Sequence, residues 1–461
     1  MTKSSARDKN AFRGKKYTAY LGHVISPKSA SSLTNIPNGA VVVDEKGKIV
    51  DVGEWTKLKR NYNGMVRVVD YGQKIISPGF VDLHLHLPQI PQTGRSGKTL
   101  LDWLDSFVFP AEARFADTRH ARKIANWFFD ELARNGTTLS AIFTTIHKDA
   151  TDAAFEIAAS KGHRVIMGKV LMDANSPKAL TEDTETSLRE AEELCKRWHG
   201  YDNNRLLYAF IPRFAVTASK DLLAGCGKLW KKYKGTYLHT HLAETKDECA
   251  FVKKLFPSSR SYVDVYASNN LVGKNSIFAH GIYLDDKDLV ALKASQSSLA
   301  HCASSNFFLK SGFFAFNRVK KAGVKFGLGS DVAGGPQMSL FSVMKDTAYM
   351  QTETWLSPRE LFYLATLGGA KAANLDKVVG SLEPGKEADF VVVDPTRKSG
   401  VPDDMLGQTA DDILSTLIYL GDDRMIVSTF VRGRKIYDVD KVLTPSKNLR
   451  TSKSAGKLRL A

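Results

Sequence analysis

The feature that most restricts the fold of this chain is an alternation of strand-like and helix-like segments through its middle. Repeated β–α–β units build a parallel sheet, and eight of them can close into a barrel, so the pattern predicts a (β/α)8 barrel. The eight short apolar, strand-like runs occupy residues 75–84, 137–146, 164–172, 206–213, 236–242, 276–280, 297–301 and 325–331. Amphipathic helices, in which apolar residues recur every three or four positions, are predicted over 152–161, 185–198, 220–234 and 286–294.

Short β segments also lie towards both ends of the chain, outside this alternation. Residues 40–43 and 49–52 flank a turn-like stretch, and residues 388–393 and 425–431 form a similar set. We expect the two sets to join in one small composite β-sandwich beside the barrel. The predicted division is residues 1–75 and 384–445 for the two parts of the small domain, 76–383 for the barrel, and 1–16 and 446–461 for basic tails.

Composition excludes several classes of protein. No apolar run approaches the ~18–20 residues of a membrane span, and residues 1–16 lack the apolar core of a secretory signal. The four cysteines are scattered without a C-x-x-C pair, which argues against a disulfide framework and against a thiolate zinc site. We therefore expect a cytoplasmic protein with no membrane partner.

The formal net charge of +16 is concentrated at the two ends. Residues 1–16 hold six basic side chains and one acidic one, and residues 441–461 hold six basic side chains and no acidic one. A surface that binds nucleic acid would instead interleave basic and aromatic residues on a folded face. We interpret the ends as solvated tails and expect no specific nucleic-acid partner.

Two histidines at the end of the first predicted barrel strand suggest a metal site. Side chains alternate along a strand, so His84 and His86 project to the same side, and the C-terminal ends of barrel strands are where active sites form. Imidazole nitrogens suit both zinc and iron(II), so the ligand type leaves the ion open.

Later strands end in residues that strengthen this interpretation. The pair His239 and His241, either of which could be a ligand, ends the fifth strand, and His280 and Asp331 end the sixth and the eighth. Each has an alternative explanation as a loop or helix cap. Together at one rim they predict a metal centre, with Glu244 close behind the fifth strand.

These motifs resemble those of the amidohydrolase superfamily, and within it of the guanine deaminase family. The superfamily resemblance rests on P-G-F-V-D-L-H-L-H (78–86), H-L-A-E (241–244), A-H-G (279–281) and G-S-D (329–331). The more specific resemblance rests on H-L-P-Q (86–89), F-P-A-E-A-R-F (109–115), I-P-R-F (211–214) and S-D-V-A-G-G (330–335). The resemblance spans about residues 17–439. Two stretches depart from the family pattern. Residues 91–98 are more polar and basic than the pattern, and residues 301–304 lack the proline that is usual there.

The resemblance implies a zinc-dependent deaminase with one zinc ion per chain. The implied ligands are His84, His86, His241 and Asp331, with His241 preferred to His239 because it stands three residues before the glutamate. Asp331 and Glu244 would move protons, and His280 would hydrogen-bond the attacking oxygen.

The resemblance also implies the substrate and the assembly. Gln89, Arg213 and Phe214 would bind guanine, with Arg213 near its O6 oxygen, and the enzyme would form a homodimer that converts guanine to xanthine and ammonia in purine catabolism or salvage. Alternatives are a related aminohydrolase acting on 8-oxoguanine, an adenine-type base or a triazine, and a non-catalytic scaffold. Arg213 could also form a salt bridge at the rim, and Phe214 could pack in the core.

Overall fold

The fold is a parallel β/α barrel joined to a sheet that is built from both ends of the chain. In this computed structural model the chain is described over residues 16–62, 64–397 and 409–442. The predicted basic tails therefore lie outside the described residues, except for Lys16. Among the described residues, no helix has the length and apolarity to span a bilayer.

The described residues form sixteen strands. They are β1 (Tyr17–Pro27), β2 (Leu33–Asp44), β3 (Ile49–Glu54), β4 (Val66–Pro78), β5 (Phe80–His86), β6 (Thr137–Phe143), β7 (Arg164–Gly168), β8 (Val170–Leu171), β9 (Leu206–Pro212), β10 (Tyr237–Leu242), β11 (Ser276–His280), β12 (Ser298–His301), β13 (Lys325–Leu328), β14 (Phe390–Val393), β15 (Ile426–Val431) and β16 (Arg434–Asp438).

The central strands form the predicted (β/α)8 barrel. Their order is β5-β6-β7-β9-β10-β11-β12-β13, all parallel, with the short β8 beside β9. The two ends of this series meet, because the Asp331 amide donates to the His84 carbonyl at 2.8 Å and the His86 amide donates to the Val332 carbonyl at 3.0 Å. The first strand and the chain just beyond the last strand thus lie side by side at the C-terminal rim.

Helices connect the strands, and most of them cover the barrel. They are α1 (Trp55–Leu58), α2 (Leu100–Trp103), α3 (Phe109–Ala113), α4 (Thr118–Arg134), α5 (Lys148–Lys161), α6 (Thr184–Trp198), α7 (Tyr201–Asn204), α8 (Lys220–Lys232), α9 (Lys246–Leu255), α10 (Tyr262–Ala267), α11 (Asp286–Ala294), α12 (Ala303–Phe308), α13 (Phe316–Ala322), α14 (Leu340–Met350), α15 (Pro358–Tyr363), α16 (Gly369–Ala372), α17 (Ala410–Leu420) and α18 (Val439–Val442).

The four predicted helices correspond to α5, α6, α8 and α11. Polar side chains cap the starts of three of them, where backbone amides lack helical partners. Asp183 accepts from the Thr186 amide before α6, Ser219 from the Leu222 amide before α8, and Asp285 from the Asp288 amide before α11. Helix α5 begins four residues before the predicted start and ends at Lys161 as predicted.

The predicted union of the two chain ends in one β domain is confirmed. Its strands form a single sheet in the order β16-β15-β14-β4-β1-β2-β3, which we call the end sheet. Strand β14 pairs antiparallel with β4, so the C-terminal segment lies directly against the N-terminal one. The predicted turn between β2 and β3 is present, where Asp44 accepts from the Lys46 and Lys48 amides and Gly47 has a φ of +76°.

The prediction of one barrel strand over residues 75–84 is wrong. Residues 75–78 belong to β4 in the end sheet, and the barrel strand β5 begins only at Phe80. Gly79 separates the two strands, and its amide donates to the Asp389 carbonyl at 3.1 Å. A Cβ atom there would lie 2.1 Å from Thr138 Oγ1, so the chain passes at a point where only glycine fits.

A buried ion network joins the end sheet to the barrel. Arg164, at the start of β7, is 1% exposed, and its guanidinium donates to both carboxylate oxygens of Asp389 at 2.7 and 3.1 Å. The same guanidinium donates to Glu387 at 2.5 Å, and Arg432 donates to the same Glu387 oxygen at 2.9 Å. The end sheet is thus held to the N-terminal end of a barrel strand by paired charges.

Candidate active site

Four side chains from three parts of the barrel meet at its C-terminal rim. His84 and His86 lie on β5, His241 lies on β10, and Asp331 follows β13. One ligand atom from each lies within 4.8 Å of every other, and we call this group the ligand cluster. His239, the competing histidine, lies behind His84, with its Nε2 atom 3.0 Å from His84 Nδ1.

The distances within the ligand cluster fit a bound cation. The Nε2 atoms of His84 and His86 are each 3.2 Å from Asp331 Oδ1, and His86 Nε2 is also 3.2 Å from His241 Nε2. Burial lowers the pKa of His84 to about 3, so its ring is neutral at pH 7. Neutral imidazoles and a carboxylate aimed at one point bring several lone pairs together, and a metal ion at that point satisfies them.

Neighbouring charges and hydrogen bonds hold the side chains of the ligand cluster in place. Burial acts to raise the pKa of Asp331, but His84 and His86 hold it well below its usual range. The Nδ1 atom of His241 is 2.7 Å from the Arg213 carbonyl oxygen, a contact that orients the ring. Asp82 accepts from the His84 and Ser330 amides at 3.2 and 3.0 Å, which ties the two ligand-bearing segments together.

Glu244 and His280 lie beside the ligand cluster. Glu244 is 4% exposed, its Oε1 accepts from the Ser311 hydroxyl at 2.8 Å, and its Oε2 is 3.5 Å from His280 Nε2. His280 Nε2 is 3.6 Å from Asp331 Oδ2, and its Nδ1 is 2.8 Å from Asn306 Oδ1. Burial raises the pKa of Glu244 to about 7, which suits a group that exchanges protons at neutral pH.

A helix-capping role for Glu244 does not fit the local structure. Thr245 caps helix α9, and its hydroxyl accepts from the Glu248 amide. The side chain of Glu248 in turn accepts from the amides of Glu244 and Thr245, which completes a capping box. The Glu244 carboxyl group is therefore left to face the pocket.

A pocket opens next to the ligand cluster, and we call it the substrate pocket. Gln89, in the turn after β5, and Arg213 and Phe214, directly after β9, all line it. The rest of the lining includes Leu100, Trp103, Leu104 and Leu309. Two further aromatic residues of the segment 103–115 lie outside this lining: Phe109 packs under the Arg213 guanidinium, 5.4 Å from the ring centre, and Phe115 is 1% exposed.

Glu112, to which the sequence assigned no role, contacts two polar side chains of this pocket. Its carboxylate is 1% exposed and lies between the side chains of Gln89 and Arg213. Arg213 Nη1 donates to one oxygen at 2.6 Å, and Gln89 Nε2 donates to the other at 3.0 Å. The signal available was a single acid inside the otherwise apolar and aromatic start of F-P-A-E-A-R-F. Ser311 and Asn306, which contact Glu244 and His280, were likewise without an assigned role.

Comparison with known proteins agrees with this arrangement. The amidohydrolase family matches residues 75–436. Guanine deaminase of Escherichia coli K12 is 42% identical over 416 residues, which cover 89% of this chain and 93% of that protein. Guanine deaminase of Dictyostelium discoideum is 34% identical and covers 90% of this chain and 97% of its own length.

Solved structures agree as well. A guanine deaminase from C. acetobutylicum with guanine in its active site superposes with a TM-score of 0.85 at 33% identity, covering 91% of this chain and 100% of that one. The resemblance predicted from the sequence motifs is thereby confirmed. With matches of this length and identity, the chain belongs to the amidohydrolase family and, within it, to the guanine deaminases.

Proposed function

We propose that this enzyme hydrolyses guanine to xanthine and ammonia. The observation that carries the proposal is the position of Arg213 and Gln89, which face the same pocket as the ligand cluster and Glu244. A purine held by its polar edge against these two side chains would present its 2-amino carbon to the proton-transfer groups. The guanine bound in the C. acetobutylicum relative supports this choice of substrate.

We propose further that His84, His86, His241 and Asp331 hold one zinc ion per chain. Three imidazole nitrogens and one carboxylate oxygen form a donor set that zinc accepts, and the convergence of their lone pairs supports a cation there. When bound, zinc lowers the pKa of a coordinated water from 15.7 to about 7, which supplies a nucleophile at neutral pH.

The side chains of this enzyme then manage the protons and the developing charge. Asp331 accepts a proton as the water oxygen adds to C2. Glu244 gives a proton to ring nitrogen N3, then takes the proton of the new C2–OH group and passes it to the amine, so that the C2–N bond breaks, ammonia leaves and C2 becomes a carbonyl. The proton held by Asp331 then restores Glu244. His280 Nε2 would donate to the oxygen that adds at C2, and its lack of a hydrogen-bond partner among the described residues supports this role.

Substrate recognition follows from the donors in the pocket. The planar guanidinium of Arg213 presents several N–H donors and would donate to the O6 oxygen of guanine. Adenine would place an amino group, itself a donor, against that guanidinium. Phe214, which is 5% exposed, supplies an apolar wall for the ring.

The test is turnover followed by ultraviolet absorbance, with guanine, adenine, 8-oxoguanine and cytosine in parallel and with metal content measured on the same sample. We expect turnover of guanine, release of one ammonia per guanine, and about one zinc per chain. Removal of the metal by a chelator should abolish turnover, and zinc should restore it. Bound metal without guanine turnover would reassign the enzyme to a related aminohydrolase.

We also propose a cytoplasmic enzyme of purine catabolism or salvage. The four cysteines support a reducing compartment, because all four are free and three are buried. The homodimer implied by the family resemblance stays a prediction, and light scattering after gel filtration tests it.

A further inference from the structure

We propose that Glu112 is a positioning residue that sets the specificity of the substrate pocket. By binding Gln89 and Arg213 together, it makes the pocket select a neutral ring edge in which an N–H group stands beside a carbonyl oxygen. This inference rests on the proposed function and deepens it, because guanine carries such an edge at N1 and C6.

The contacts of Glu112 come from two separate loops. The residue lies on the short helix α3, whereas Gln89 follows β5 and Arg213 follows β9. Each carboxylate oxygen accepts one hydrogen bond, from Gln89 at 3.0 Å and from Arg213 at 2.6 Å. All three side chains are at most 3% exposed, so these bonds are shielded from bulk water.

The carboxylate determines which end of the Gln89 amide faces the ligand. An ionised carboxylate only accepts hydrogen bonds, so Gln89 has to offer its NH₂ group to Glu112. A flipped amide would bring its carbonyl oxygen to about 3 Å from the carboxylate, and two buried acceptors at that distance repel each other. The Gln89 carbonyl oxygen is therefore left for the pocket, where it accepts an N–H group of the ligand.

The Glu112 carboxylate also restrains the Arg213 side chain and offsets its positive charge. One of its terminal nitrogens is bound to Glu112, and its guanidinium carbon lies over the Phe109 ring. Within the part of the chain that the structure describes, its remaining N–H groups have no acceptor, so they can donate to a ligand carbonyl. Since the buried pair is neutral overall, the pocket provides this donor without an excess positive charge, which favours a neutral base over an anionic ligand.

In the pocket, the Gln89 carbonyl oxygen is an acceptor and the neighbouring Arg213 guanidinium is a donor. This pair defines the ligand edge that fits. A lactam edge, with N1–H next to C6=O, satisfies both groups. An amidine edge, with a bare N1 next to a 6-amino group, places acceptor against acceptor and donor against donor. Sites built to hydrogen-bond one such pattern reject the mismatched analogue by about 10⁴–10⁵-fold.

The experiment compares ligands that differ only at this edge, using the zinc-loaded full-length enzyme. Turnover is measured with guanine and with 2,6-diaminopurine, which carries the same 2-amino group beside an amidine edge. Calorimetry measures the binding of hypoxanthine and adenine, which lack the 2-amino group. The key variant is Glu112→Gln, and Glu112→Asp keeps the charge on a shorter side chain.

In Glu112→Gln we expect the preference for guanine over 2,6-diaminopurine to fall about 10- to 100-fold, with most of the loss for guanine in KM rather than kcat. The preference for hypoxanthine over adenine should fall by a similar factor, and Glu112→Asp should recover part of both. The matched control is Glu182→Gln, which removes the carboxylate from the buried pair with Lys169 outside the pocket and should leave both preferences unchanged.

A loss of turnover in Glu112→Gln that is equal for both substrates, at unchanged metal content and with both preferences intact, would show a structural role only and overturn the inference. Failure of the proposed function would appear differently, as a wild-type enzyme that does not turn over guanine. In that case the binding preference and its response to Glu112→Gln still decide the role of Glu112.

Discussion

Burial changes what individual ionisable side chains of this enzyme can do. The carboxyl group of Glu244 has a pKa raised to about 7 by burial, whereas Asp331, beside His84 and His86, stays ionised. Two carboxyl groups in one pocket thus differ in protonation because their neighbours differ. At neutral pH Glu244 can therefore both give and accept a proton, whereas ionised Asp331 can only accept one, in accord with the roles proposed above.

Replacing Glu244 with glutamine tests this assignment. Glutamine keeps the shape of the side chain and its contact with Ser311 but cannot carry a proton, so we expect kcat for guanine to fall by about 10²–10⁴-fold. Metal content and melting temperature should stay at wild-type values. Glu193→Gln, at a surface pair with Lys148, is the control, and a kcat for Glu244→Gln within threefold of wild type would exclude the proton-carrying role.

For individual residues, the sequence indicated side chains at strand ends. It did not indicate side chains whose contacts come from distant parts of the chain. Strand-end residues such as His84, His86 and Asp331 could be predicted to converge because a barrel brings the ends of its strands to one rim, whereas the choice of His241 over His239 came from the family resemblance. Glu112 could not be predicted in this way, because its two partners lie 23 and 101 residues away and only the folded chain brings them together.

Among the secondary-structure elements, the boundary between β4 and β5 decides which sheet a residue joins. The run of apolar residues continues through this boundary, so hydrophobic pattern alone predicts one strand. The structure divides it at Gly79, where the backbone passes close to Thr138. The sequence therefore predicts that these residues form strand. The break between β4 and β5 depends on a steric contact with Thr138, 59 positions after Gly79.

A methyl group at Gly79 tests this contact. We expect Gly79→Ala to lower the free energy of unfolding by about 1–3 kcal/mol, because the added Cβ atom would lie 2.1–2.6 Å from atoms of Thr138. Urea titration monitored by circular dichroism measures the change. In the control, Gly53→Ala, the new Cβ atom would lie 3.4 Å from Leu58, an ordinary contact, so equal effects of the two variants would contradict the steric explanation.

For the molecule as a whole, the end sheet and the barrel depend on charges buried between them. The sequence predicted that both chain ends would form one β domain, because both ends contain β-like runs. It did not predict the strand order that places β14 against β4, or the contact of Arg164 with Asp389 and Glu387. Such long-range pairings leave no periodic signal in the local sequence.

Removing the central cation of this network should destabilise the enzyme. We expect Arg164→Met to lower the free energy of unfolding by about 3–5 kcal/mol, because it leaves two buried carboxylates without their main partner. Arg122→Met, which breaks an exposed pair with Glu156, should change it by less than about 1 kcal/mol. Urea titration of both variants makes the comparison, and similar losses would rule out a special role for the buried network.

The same network should make stability depend on acid pH. Burial acts to raise the pKa of Glu387, but Arg164 and Arg432 lower it from its ordinary value of 4.5 to about 2. Its contribution is therefore complete above about pH 4.5 and is lost as the pH falls towards 2. We expect wild-type enzyme to exceed Glu387→Gln in melting temperature at pH 7, with a difference that shrinks below pH 4.5; a constant difference would contradict this linkage.

The composite origin of the end sheet has a consequence for synthesis on the ribosome. Strand β4 ends at Pro78 and its neighbour β14 begins at Phe390, about 310 residues later. At about 5–20 residues per second, the edge of β4 waits roughly 15–60 s for its partner. Throughout that time the nascent chain carries an unpaired strand edge, the kind of surface that recruits other chains. Translation speed and chaperone access over this interval therefore bear directly on how much active enzyme a cell obtains.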